Sequence, residues 1–160
     1  MSDVVKILER KKWEYQIPSH YLRNEDVTVR FFYLVGLTVV AQEDGELTTE
    51  KRAWLVSMVI SMGLPIEQFV RVIDVASNVG SDSLDNIIEI MEARDRQFAF
   101  ILDLYVAGWR DWKVGATAQK IIDLFTDIWK LVPTEKDFLQ DFAKAALTGV
   151  VKFNASVFAN

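Results

Sequence analysis

The chain has 160 residues, of which 51% are hydrophobic and 26% charged, with three prolines and seven glycines. This length and composition fit one helical domain with a real core, and they exclude a disordered chain. The formal charge of −5 disfavours binding to nucleic acid, where a basic face must neutralise phosphates, and the absence of cysteine excludes disulfides, thiolate nucleophiles and cysteine-ligated zinc.

Apolar residues recur at helical spacing along nearly the whole chain, and no stretch shows the sustained alternation of a β-strand. The pattern therefore predicts an all-α, single-domain bundle of seven to eight helices. The first helix lies within residues 1–17 and ends before Pro18. The others are predicted at about 25–42, 49–62, 65–77, from the Gly80–Ser83 turn to 94, up to Gly108, at 113–130, and from Pro133 to Gly149.

Local signals place several of the helix ends. Asn24 is predicted to be the N-cap of the second helix and Thr48 that of the third, because their side chains can accept a hydrogen bond from the first turn. Gly63 suits the left-handed residue that follows a helix, and Pro65 suits the first turn of the fourth helix. The apolar residues of the tail, 150–160, predict that it docks on the body.

An internal repeat is visible when the chain is shifted by 68 positions. Leu34 then falls on Leu102, and Pro65 falls on Pro133. Because Leu55 falls on Asp123, a register shifted by one residue is the alternative. Residues 25–77 and 95–147 each read as three helices, and we expect the two units to superpose and to share one core.

The inward helix faces predict a core. Its positions are expected to include Leu34, Leu37, Trp54, Leu55, Met58, Leu102, Tyr105, Ile121, Phe125 and Ile128. Aromatic residues at helical spacing elsewhere are also assigned to the core by default, namely Phe69, Phe98, Phe100, Trp129, Phe138 and Phe142.

The acidic turn between the second and third helices is the clearest candidate site. Asp44, Glu46 and Glu50, with Glu43 nearby, could supply oxygen ligands to Ca²⁺ or Mg²⁺, and Gly45 permits a sharp turn. The alternative is structural, because Glu50 also suits the positive end of a helix capped by Thr48, with the other carboxylates solvated. Any metal site here is expected to be weak and partly hydrated.

The same turn carries a family resemblance. Asp44-Gly45-Glu46 followed by Glu50, and then the sequence Gly63-Leu64-Pro65-Ile66-Glu67, resembles the first repeat of the tellurite-resistance TerB-like proteins. The resemblance implies an all-α domain of two helical units, each with an acidic turn associated with divalent metal. The second unit departs from this pattern, because Arg110-Asp111-Trp112-Lys113 stands where the second acidic motif would be.

Function is predicted mainly through this resemblance. It implies a non-enzymatic, metal-responsive or partner-binding module in a tellurite or stress response, with protein partners and a membrane-associated complex as one setting. A small metal-dependent enzyme using the acidic turn is one alternative, and a pure interaction domain with a vestigial turn is another. No phosphate loop, nucleophile elbow or HExxH motif occurs, so no catalytic or cofactor-binding residue is predicted.

His20, the single histidine, is expected to lie in a loop or to cap a helix, because the chain offers neither a second histidine nor a cysteine for zinc or catalysis. The aromatic pair Trp109 and Trp112 could bind a partner but is expected to anchor a turn on the core.

No secretory signal or membrane span is predicted. Charges interrupt residues 1–15, and the longest near-apolar run, Phe31–Ala41, is about half the length of a span of roughly 20 residues. Basic residues and Trp13 in the first helix would suit an acidic membrane surface, but we expect this helix to dock on the domain. A soluble, cytoplasmic protein follows from these expectations.

Overall fold

The computed structural model describes residues 2–43, 45–110 and 113–147. Within these ranges the elements are helical and no strand occurs, which confirms the predicted all-α class. A short 3₁₀ helix, Tyr21–Asn24, follows the first α-helix. The eight α-helices of the described ranges are α1 Asp3–Tyr15, α2 Val27–Gln42, α3 Thr49–Ser61, α4 Gln68–Ser77, α5 Ser81–Ile90, α6 Arg94–Arg110, α7 Ala116–Ile128 and α8 Pro133–Leu147.

Two predicted helix starts are wrong. Asn24 belongs to the 3₁₀ helix, so the N-cap of α2 is Asp26, whose Oδ1 accepts a hydrogen bond from the Thr28 N–H at 3.1 Å. Pro65 precedes α4 by three residues, because the Gln68 N–H bonds the Pro65 carbonyl at 2.9 Å in a tight turn that is not α-helical. Arg94 begins α6 and does not end α5.

The predicted ends of α3 are confirmed at both sides. Thr48 Oγ1 accepts a hydrogen bond from the Lys51 N–H at 3.2 Å, as an N-cap does. Gly63 follows the last turn with a φ of +72°, and the Leu64 N–H bonds the Val59 carbonyl at 3.2 Å. This pattern is a Schellman motif, in which glycine meets no Cβ penalty.

The core surrounds α2. Nine consecutive residues of this helix, Tyr33–Ala41, are buried, which is typical of a helix enclosed on all sides. It packs against α3, α4, α5, α6 and α7. Most of the predicted core is confirmed as buried, namely Leu34, Leu37, Trp54, Leu55, Leu102, Tyr105 and Phe125, whereas Met58 and Ile121 are partly buried.

Two core assignments are wrong. Ile128 is 51% exposed, because the last turn of α7 faces an open groove, and Phe138 is 63% exposed on the outer side of α8. Phe138 lies beside Phe142, with ring centroids 6.1 Å apart, and that contact leaves most of its ring uncovered.

α2 and α6 meet at Gly36. A Cβ atom built there would lie 2.9 Å from Cε2 of Phe100, whose fully buried ring has edge contacts with Tyr33, Phe125 and Trp129. Because this ring is held on several sides, the close approach of the two helices requires the glycine.

The two predicted units share an arrangement of helix ends. In the first, Arg30 Nη1 in the first turn of α2 donates to the Met62 carbonyl at the end of α3, at 2.9 Å. In the second, Arg94 Nη1 at the start of α6 donates to the Trp129 carbonyl at the end of α7, also at 2.9 Å. Superposition of the units stays a prediction, but in each unit an arginine near the start of one helix bonds the carbonyl at the end of another.

The residues that follow these helix ends also correspond. Lys130 takes the place that Gly63 has in the first unit, with a φ of 55°, and the Leu131 N–H bonds the Thr126 carbonyl at 3.0 Å. These matches are 67 residues apart, one fewer than the predicted shift. A left-handed conformation costs a side chain more than it costs glycine, so the second unit carries local strain that the first does not.

α1 does not dock on the domain as predicted. All described side chains from Ser2 to Trp13 are exposed, and the helix is held near the loop before α4, where Arg10 Nη2 lies 3.7 Å from Glu67 Oε1. The ion pair is itself exposed and contributes little. The predicted docking of residues 150–160 lies outside the described residues. None of the described helices is long and apolar enough to span a bilayer.

Candidate functional site

The acidic turn is solvated where the structure describes it. Glu43, Glu46 and Glu50 are exposed, Gly45 has a φ of +124°, and Asp44 lies outside the described residues. Among the described residues, no group of three or more acidic, histidine or cysteine side chains could hold a metal ion. Glu50 lies in the first turn of α3, where the positive end of the helix favours a carboxylate. The metal site at Asp44, Glu46 and Glu50 therefore stays a prediction.

Beside this turn, an apolar groove opens between α2, α5 and α7. Its volume is about 310 Å³, and Leu124 and Ile128 of α7 are each 51% exposed along it. Among its described lining residues, Glu43 is the one ionisable group. The apolar lining residues are Val39, Val79, Leu84, Ile88, Ile121, Leu124, Phe125 and Ile128. We call this surface the α2–α5–α7 groove.

The elements that line the α2–α5–α7 groove carry more acidic than basic residues. α5 carries three acids and no basic residue, whereas α7 carries two acids and one lysine, and Glu43 follows the end of α2. These six acids are all exposed, and they are Glu43, Asp82, Asp85, Glu89, Asp123 and Asp127. Asp85 adjoins the lining residue Leu84 and Asp127 adjoins Ile128, so the groove has an apolar lining with acids beside it on α5 and α7, which favours a ligand that is apolar on one side and basic at its edges.

Sequence reasoning missed the groove because it assigned Ile128 to the core. A signal was present in α7, where Ile121, Leu124, Phe125 and Ile128 form one apolar face while Ile122 and Trp129 point to another side. More apolar surface lies on this helix than one interface with the body requires, and the surplus lines the groove.

A second polar feature lies inside the bundle. His20 Nε2 is 2.9 Å from Asp103 Oδ2, and the Tyr33 hydroxyl donates a short hydrogen bond to the same carboxylate oxygen. The side chains of His20 and Asp103 are 8% and 6% exposed, and Tyr33 is fully buried. We call these three residues the buried polar bridge, because they join the 3₁₀ helix and α2 to α6.

Hydrogen bonding assigns the tautomer of His20. Its Nδ1 accepts from the Leu22 N–H at 3.1 Å and caps the 3₁₀ helix, so the proton lies on Nε2, which donates to Asp103. The predicted capping role of His20 is thus confirmed. Its pairing with Asp103 was missed, although an acid within the apolar run Phe98–Ala107 is a signal that a buried donor must exist.

The buried polar bridge predicts loss of stability at alkaline pH. Burial, followed by the negative charge of Asp103 and the hydrogen bond to it, raises the pKa of Tyr33 well above its ordinary 10.0. The folded protein therefore keeps this proton after the unfolded chain has lost it, so stability should fall as pH rises above about 10. Burial also raises the pKa of Tyr21 and of Tyr105.

Urea unfolding between pH 8 and 11.5 measures this effect. Tyr33→Phe should reduce the fall of the unfolding free energy with pH by up to about 1.4 kcal/mol per pH unit, which is the contribution of one proton. Parallel curves for the variant and the parent protein would contradict the assignment of the effect to Tyr33.

The segment 109–113, which contains the predicted aromatic pair Trp109 and Trp112, adds no described site. The side chains of Trp109 and Arg110 and the whole of residues 111–112 lie outside what the structure describes. Lys113 is exposed, as predicted for a solvated neighbour. No family model, curated protein or solved structure matches this chain, so the likeness to TerB-like proteins is carried by the motifs at 44–50 and 63–67.

Proposed function

We propose that the protein is a non-enzymatic partner-binding module whose α2–α5–α7 groove receives a basic amphipathic helix of a partner protein. The observation that carries this proposal is the pair Leu124 and Ile128, which are half exposed over an apolar floor, between helices that carry more acids than bases. The TerB-like resemblance extends the proposal to a tellurite or stress response in the cytoplasm.

The groove has the chemistry of a helix-binding surface. A helix docks through apolar side chains at positions i, i+3, i+4 and i+7, which lie on one face and enter such a groove together. Lysine or arginine at the edges of that face would meet acids on both walls, including Asp85 on α5 and Asp127 on α7. Such rim charges accelerate association and select the partner, and salt weakens them.

The residues of the groove and of the buried polar bridge favour a binding function over a catalytic one. Among the lining residues that the structure describes, Glu43 is the one ionisable group, so these residues supply no pair for acid–base work. His20 and Asp103 could form such a pair, but both are buried and already satisfied by Leu22 and Tyr33. Their arrangement is that of a structural bridge.

Titration with a fluorescent amphipathic helical peptide tests the proposed function. The peptide carries leucines at i, i+3, i+4 and i+7 and lysines beside them. We expect binding that weakens as salt is raised, and an affinity at least tenfold lower for the double variant Leu124→Gln, Ile128→Gln. The same peptide with glutamates in place of lysines should bind more weakly to the parent protein.

A matched control uses apolar residues that are exposed elsewhere. Val70 on α4 is 69% exposed and Phe138 on α8 is 63% exposed, and both lie outside the groove. Val70→Gln, Phe138→Gln should leave peptide affinity unchanged. Equal loss in the control and groove variants, or no loss in either, would sink the groove as the binding surface.

A further inference from the structure

α1 presents an uncovered apolar stripe. Val4, Val5, Ile7 and Leu8 are 64%, 41%, 53% and 60% exposed, and Val4, Ile7 and Leu8 lie on one face at the i, i+3, i+4 spacing. A helix of this kind normally buries such a stripe against another surface.

Basic residues continue the same face. Lys11 follows Ile7 by four residues and Leu8 by three, and Lys12 follows Leu8 by four. α1 as a whole carries four basic side chains and three acids, and three of its four basic residues are consecutive, at positions 10–12. α1 therefore presents an apolar stripe that Lys11 and Lys12 continue, which is the combination that the α2–α5–α7 groove favours.

α1 cannot place this stripe in the groove of its own chain while it keeps its observed position. Arg10 lies beside Glu67, which follows two residues, Leu64 and Pro65, that line a cavity with Thr28 near the start of α2. The groove begins at Val39, which follows Thr28 by eleven residues in α2 and therefore lies roughly 16 Å from it along the helix. Val4, the far end of the stripe, lies six residues, about 9 Å, from Arg10 along α1.

We propose that the groove of one copy of this chain receives α1 of a second copy. The inference rests on the proposed function, and α1 is the helix that the groove receives. Apolar residues Val4, Ile7 and Leu8 contact Leu124 and Ile128, while Lys11 and Lys12 meet the acids of α5 and α7. Reciprocal insertion of both α1 helices closes a twofold dimer and covers both apolar surfaces.

Sedimentation velocity of the full chain, from 5 to 200 µM, tests this inference. We expect a concentration-dependent shift from monomer to dimer that weakens as salt is raised. Ile7→Gln, Leu8→Gln removes the apolar stripe, and Leu124→Gln, Ile128→Gln removes the exposed apolar side chains of the groove, so each double variant should be monomeric over this range. Val70→Gln, Phe138→Gln should dimerise like the parent protein.

Mixing the two monomeric variants supplies the decisive measurement. One retains an intact groove and the other an intact α1, so an equimolar mixture should form a heterodimer, held by one interface and weaker than the parent dimer. Circular dichroism of each variant before mixing checks that the bundle is folded. A mixture that stays monomeric overturns the pairing of α1 with the groove.

The remaining outcomes separate this inference from the proposed function. A parent protein that stays monomeric but binds the designed lysine peptide overturns the self-association and leaves the groove as a partner site. A monomer that does not bind the peptide overturns both. A monomer whose α1 stripe is required for binding to vesicles of phosphatidylserine and phosphatidylcholine assigns the stripe to a lipid surface and overturns the inference.

Discussion

Asp103→Ala is expected to destabilise the protein by about 3–5 kcal/mol, which lies within the total for two buried donors that each lose an acceptor at about 1–3 kcal/mol. Asp103 Oδ2 accepts from His20 Nε2 and from the Tyr33 hydroxyl, and all three side chains are buried. Alanine leaves both donors without an acceptor and beyond the reach of bulk water, so each contributes a desolvation penalty. Urea unfolding at pH 7 measures the loss.

A double-mutant cycle distinguishes this mechanism from simple loss of packing. Tyr33→Phe should destabilise the parent protein, because it removes a donor from Asp103. In the Asp103→Ala background, the same change removes an orphaned hydroxyl and should be neutral or stabilising. Asp85→Asn, at an exposed position of α5, should change stability by less than about 0.5 kcal/mol. Additive effects of the two buried substitutions would contradict the bridge.

Trp54→Ala is the second large effect, also about 3–5 kcal/mol, because the truncation removes a large side chain from the core and leaves a cavity. Trp54 is 8% exposed and belongs to the core on α3, which packs against α2 and α4. Chemical denaturation with the fluorescence of the remaining tryptophans reports the change.

The same substitution at an exposed position provides the control. Trp13 on α1 is 44% exposed and lies on the side of that helix away from Val4 and Leu8. Trp13→Ala should cost less than about 0.5 kcal/mol. Comparable losses at Trp13 and Trp54 would show that burial does not govern the difference.

Helix class and several helix ends were predictable because their causes are local. The apolar period of 3.6 residues is carried by neighbouring residues, and Thr48 and Gly63 act within one turn of α3. Asn24 and Pro65 were assigned wrongly for a related reason. Each is a suitable helix-start residue, but the chain makes a tight turn there before the α-helix begins.

The candidate site was less predictable, because its features depend on residues far apart in the chain. The acidic turn was visible in one short segment. By contrast, His20 and Asp103 are 83 residues apart, and the groove joins residues from three helices. Periodicity shows which face of a helix is apolar, but not whether a neighbour covers it, and this is why Ile128 and Phe138 were assigned to the core.

Arg30 and Arg94, which bond the carbonyls at the ends of α3 and α7, have a consequence for the order of folding. Arg30 and Met62 are 32 residues apart, and Arg94 and Trp129 are 35 apart, whereas Asp103 is 70 residues from Tyr33. Closing a shorter loop costs less chain entropy, so each unit has its own early closing contact. We expect the halves to form first, each around its own arginine, and Asp103 to join them afterwards.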